Sequence, residues 1–99
     1  MENQHQKITG YRELSQEEID LMNEIKSRGT ELGSLVERLY EHAQQKISDA
    51  NSHGVATGDF TEFERLTAAE PHHWVATGAI NLQQGLMALT RAVAQPTTF

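Results

Sequence analysis

With 99 residues, no cysteine and 14 acidic against 8 basic side chains, the chain has room for one domain and cannot be a disulfide scaffold or a thiolate site. Its net charge of −6 is the wrong sign for coating long nucleic acid, which requires neutralising phosphates. The opening MENQHQKITG has no apolar core behind a basic start, so it reads as neither a signal peptide nor a membrane anchor, and the cytoplasm is the expected compartment. Charge is also unevenly spread. Lys7, Arg12, Lys26 and Arg28 lie in the first third, whereas from Pro71 onward Arg91 is the only charged side chain when His is counted as neutral.

In chain order, Ser15 followed by Glu18 forms a capping box, with Leu14 and Ile19 placed as a hydrophobic staple, so a helix is expected from about residue 16 to about 50. Met22, Ile25, Gly29, Leu32, Val36, Leu39 and Ala43 step by alternating threes and fours, the seam of a helix packed along another at a shallow angle. Gly29 and Gly33 interrupt it, and close approach of another element with some bending is expected there. The stretch NSHGVATGD, Asn51 to Asp59, is rich in Asn, Ser and Gly and reads as the reversing loop, the most mobile part. A short helical turn over about 60–66 follows. Thr67 with Glu70, or Pro71 in a first-turn position, then opens a second long helix over about 70–95, closed by Pro96. The expectation is an all-α antiparallel hairpin forming a single domain over 1–99, with a short N-terminal element.

The last helix carries more apolar surface than a hairpin uses. Val75, Ala79, Leu82, Leu86, Leu89 and Val93 form the seam suited to the first helix. Ala76, Ile80, Met87 and Ala94 make a second stripe, and Gly78, Gly85 and Ala92 a strip with almost no side chain. Such a helix stands in water only when covered on most sides, so a homo-oligomer is expected. The plain alternative is a loosely packed monomer with Asn81, Gln83 and Gln84 as a wet face. Those polar residues and Arg91 argue against a membrane span.

None of His5, His42, His53, His72 and His73 forms a recognisable metal site, since adjacent His72 and His73 diverge on a helix, and no metal or cofactor is expected. No nucleophile, base and orienting group can be assembled, and phosphate loops are absent, so the chain reads as a binder rather than an enzyme. The remaining cluster is Gly10-Tyr11-Arg12 upstream of the capped helix, with Asn23, Lys26 and Arg28 further along it. An aromatic and several cations are what a nucleotide needs: a face for the base and charge-assisted hydrogen bonds for phosphate. Lys26 follows the seam residue Ile25, so two-fold symmetry would present Tyr11 and Lys26 twice to a ligand with two bases and two phosphates. Spacing alone favours the plainer reading, Tyr11 as an ordinary packing residue and Lys26 as an interfacial ion-pair partner of a glutamate.

Several blocks carry a resemblance: GYREL at Gly10 to Leu14, EIDLMNEIKSRG at Glu18 to Gly29, the run from Trp74 through QGLMALTRAVA to Ala94, and Pro96 with Phe99. In these the chain resembles the phage-encoded anti-CBASS sponge family, small helical proteins that sequester cyclic oligonucleotide messengers of bacterial immunity and share their hairpin domain with an anti-Thoeris sponge. The resemblance implies a compact hexamer binding cyclic dinucleotides between two protomers, in the cytoplasm of the infected host. Tyr11 takes the family position that stacks on bases and Lys26 the one that contacts phosphates; Arg12, Asn23 and Arg28 are neighbours of suitable chemistry. Some members hold cyclic trinucleotides at a second site among three protomers, where the pattern has Arg just before the Trp. This chain has His73 there, with Thr77 as the other contributor, and an imidazole offers no guanidinium fork. Competing readings are a phosphodiesterase acting on the same messengers, a sponge for cyclic ADP-ribose isomers, and a purely structural assembly protein.

Overall fold

The computed structural model describes residues 13–97 and contains three helices, α1 (Gln16–Thr57), α2 (Thr61–Ala69) and α3 (Pro71–Ala94). The two long ones form the expected all-α hairpin, with no strand among the described residues. The expected short N-terminal element lies outside the described residues. The start of α1 is set by the capping box. The Ser15 N–H donates to Glu18 Oε1 at 2.8 Å and the Glu18 N–H to Ser15 Oγ at 3.2 Å, so two otherwise orphaned donors are satisfied reciprocally. Leu14 and Ile19 are both half-buried, as a staple requires.

The expected loop over 51–59 does not form: α1 continues unbroken to Thr57. Asn, Ser and Gly there are overridden by packing, because the three–four seam runs on through Ala43, Ile47, Ala50 and Gly54, of which Ala43, Ala50 and Gly54 are buried. Gly54 is needed for closeness rather than for a turn. A Cβ there would meet the Phe60 ring at 2.3 Å from Cδ1, so the ring lies directly on the bare helix backbone. Only Gly58 does the work of a turn, at φ +80° with its N–H donating to the Gly54 carbonyl at 2.7 Å. The reversal is therefore confined to the residues between Thr57 and Thr61. Thr57 Oγ1 donates to the His53 carbonyl and accepts from the Asp59 N–H, while Asp59 Oδ1 accepts from the Thr61 N–H and hydroxyl at 3.1 and 2.7 Å.

The expected helical turn over 60–66 is a full nine-residue helix, α2, anchored by buried Leu66 and ended by Glu70 in the left-handed conformation (φ 53°). Thr67 caps nothing: it sits inside α2 with its hydroxyl on the Phe63 carbonyl, and Pro71 opens α3 at the first helical position. Gln95, at φ 52°, closes α3 immediately before Pro96, as expected.

Contacts divide the described residues into two compact units, one holding the start of α1 up to residue 31 with α3 from residue 82 onward, the other residues 32–81. In the first, Met22, Ile25 and Gly29 of α1 and Leu86, Thr90 and Val93 of α3 are half-buried and Ala94 is buried. At Gly29 the space a Cβ would take is approached by a side chain rather than by a second backbone, since that Cβ would lie 3.1 Å from Leu86 Cδ1. In the second unit Gly33 has open space beside it, so no intrachain close approach explains that glycine. Its core is Ala43, Ala50 and Leu66.

Among the described residues no large side chain is fully enclosed, while Ile80 is 54% exposed, Leu89 56%, Trp74 63% and Met87 70%. No helix of the described residues is long and apolar enough to cross a membrane.

Two outcomes follow from this packing. Gly54→Ala forces the Phe60 ring off α1 and should destabilise the fold by about 1–3 kcal/mol, read as a lowered thermal midpoint. The hydrogen bonds from the Thr61 hydroxyl and N–H hold the Asp59 carboxyl below its ordinary value. A depressed carboxylate stabilises the fold above its unfolded pKa and loses that contribution as pH falls through the folded one. The loss of thermal stability between about pH 5 and pH 2 should therefore be smaller in Asp59→Asn than in the parent protein.

Candidate functional site

Of the five residues expected to hold a dinucleotide, Tyr11 and Arg12 lie outside the described residues. The other three sit on the exposed surface of α1. At 3.6 residues per turn, Asn23 and Lys26 are neighbours on one side of the helix, about 60° apart. Lys26 has no hydrogen bond or ion pair from its ammonium to any described residue. Its carbonyl accepts the Thr30 hydroxyl at 3.1 Å, a local bond that leaves the ammonium untouched.

Arg28 is not brought to that side. It lies about 160° around the helix from Lys26. There its guanidinium meets Glu24 at 3.5 Å and Glu31 at 3.7 Å, all three side chains well exposed. This is a solvated charge ladder of i,i+4 and i,i+3 pairs, worth a few tenths of a kcal/mol, about 0.3–0.5 per pair. Residue proximity in sequence placed Arg28 with Lys26; the helical period separates them.

The residues expected at a second site, His73 and Thr77, occupy one face of α3 an i,i+4 step apart. His73 is exposed and packs edge-on against Trp74 with ring centroids 5.1 Å apart, and Thr77 is half-buried. His72 diverges as expected and instead approaches Tyr40, at 6.0 Å between centroids with the planes tilted by 34°.

That pair belongs to a feature unforeseen in the sequence, an open groove of about 560 Å³ lined by Tyr40, Glu41, Gln44, Gln45, Ser48 and His72. Its sequence signal is a polar stripe at i, i+4 and i+8, Tyr40-Gln44-Ser48, running alongside the seam residues Leu39 and Ala43. The stripe alone does not show that α3 brings a histidine to its edge. Among the described residues no three of His, Asp and Glu come together in an arrangement able to hold a metal ion.

A long capped helix, a short return helix and a second long helix define a small all-α hairpin protein. Residues 3–94 match the sequence model of the Acb2/Tad1 hairpin domain. The chain belongs to that family. Anti-CBASS protein 2 of Pseudomonas phage JBD67 is 43% identical to it over 105 residues, an alignment covering 97% of each chain.

Proposed function

We propose that this protein is a phage anti-defence sponge that binds cyclic dinucleotide messengers of CBASS immunity and withholds them without cleavage, in the cytoplasm of the infected host. The observation that carries the reading is the near end-to-end relation to a protein called anti-CBASS protein 2. It embraces both the segment holding Tyr11 and the helix face holding Lys26.

The chemistry is capture. Tyr11 provides a face for a base, and Lys26, with its ammonium free, provides the charge-assisted contact to phosphate. Asn23 lies beside that contact and Arg12 is the proposed additional cation, whereas Arg28 is committed to Glu24 and Glu31 on another side of α1. A sponge lowers free messenger by mass action, so it needs tight and abundant sites rather than turnover. Two protomers meeting beside Lys26 would offer the ligand two bases' worth of stacking and two ammonium groups, in keeping with its own two-fold symmetry. His73 and Thr77, sharing one face, are the proposed contributors to a second site for cyclic trinucleotides.

Assembly is part of the proposal. Ile80, Met87, Leu89 and Trp74 leave α3 with apolar surface that its own chain does not cover, and Gly78 and Gly85 have open space where another helix can approach. Sister protomers, in a hexamer, provide that cover.

The site assignment is tested by calorimetry with a cyclic dinucleotide. Lys26→Ala should weaken binding about 30-fold or more and Tyr11→Ala about tenfold, with subunit number preserved. Unchanged affinity in both overturns the assignment, and linear nucleotide recovered after denaturing the complex would identify a phosphodiesterase instead. For the assembly, Met87→Glu combined with Ile80→Glu should leave helix content intact while reducing the mass seen in sedimentation. A parent protein already sedimenting as one chain defeats this part of the reading.

A further inference from the structure

Independently of the sponge reading, we infer that the groove over Tyr40, Glu41, Gln44, Gln45, Ser48 and His72 is a binding site for an uncharged nucleoside with a guanine base. The groove's volume of about 560 Å³ lies within the range of small-molecule sites, and two rings of different elements form part of its lining. Tyr40 comes from the middle of α1 and His72 from the first turn of α3, 6.0 Å apart and tilted by 34°. Too close to admit a base between them, they make a bent shelf on which a flat heterocycle lies.

The polar lining selects the ligand. Glu41, Gln44 and Ser48 have no hydrogen-bonding or ionic partner among the described residues, whereas Gln45 commits its amide N–H to Asp49 at 2.7 Å and leaves its carbonyl free. No lysine or arginine lines the groove, so phosphate finds no counter-charge there and meets the Glu41 carboxylate instead. A carboxylate only accepts hydrogen bonds. Guanine offers it two parallel N–H donors on one edge, N1–H and the N2 amino group, whereas adenine presents the N1 lone pair at the matching position and repels it. The Gln44 amide and Ser48 hydroxyl, which both donate and accept, complete the match to the guanine O6 and N7 acceptors or to the ribose hydroxyls.

Saturation-transfer NMR tests this on the full-length protein with guanosine, inosine and adenosine as probes. Guanosine should receive saturation, inosine, which lacks the N2 amino group, should bind about tenfold more weakly, and adenosine should give no transfer above a non-binding control. Glu41→Gln, on an exposed side chain that the fold does not use, should remove the preference for guanosine over inosine, and Tyr40→Ala should abolish transfer while circular dichroism stays helical. Absence of transfer to guanosine, equal transfer to adenosine, or an unaltered preference in Glu41→Gln overturns the site. Because the probes carry no phosphate, failure here leaves cyclic-dinucleotide binding at Lys26 untouched, and loss of that binding in Lys26→Ala leaves this groove untouched.

Discussion

A helix shows one side to one neighbour, and α3 carries three apolar strips around its circumference. That mismatch governs the rest of the molecule. The seam through Val75, Ala79, Leu86 and Val93 is half-buried within the chain, while Ile80, Met87 and the strip through Gly78 and Gly85 are left facing outward. With Arg91 as the one charged side chain of α3, solvent cannot satisfy what the hairpin leaves over. The core that does form is small: Ala43, Ala50, Leu66 and Ala94. Small residues at the seam let helix backbones approach but bury little area each, and in the proposed assembly sister protomers would supply the remaining apolar burial.

The same economy of side chain shapes the end of the hairpin. Gly54 lets Phe60 lie flat on the α1 backbone, and the Asp59–Thr61 hydrogen bonds fasten the reversal without any longer loop. Helix running on to Thr57 carries the three–four seam to the buried Gly54, where each residue given to a loop would instead cost ordering without adding contact. Polar groups near the turn are satisfied locally, through Thr57, Asp59 and Thr61, so the reversal needs no partner.

Function, on the reading proposed here, divides between two regions with different electrostatics. Lys26 has no ionic partner among the described residues and Asn23 stands beside it on α1, an environment suited to an anion. The Tyr40–His72 groove has an unpartnered carboxylate and amides in place of lysine or arginine, an environment suited to the edge of a base. A protein that captures nucleotides by binding alone depends on such placement of unspent hydrogen-bonding groups. Every side chain tied up in a local pair, as Arg28 is by Glu24 and Glu31, is withdrawn from the ligand.

Local chemistry in the sequence was enough for much of this. Ser15 and Glu18 specified the start of α1, Pro71 and Pro96 bracketed α3, and the three–four stepping of both seams specified a helical hairpin, because capping and periodicity depend only on neighbours within a few residues. The blocks around Tyr11, Lys26 and the last helix were equally readable as a family resemblance, which the match over residues 3–94 bears out. Tertiary structure decided what local propensity could not. It kept NSHGVAT helical because Gly54 is covered by Phe60, and it brought His72 to Tyr40 across 32 positions. In both cases the deciding partner lies beyond the helix in question, and that information exists only once the chain has folded back on itself.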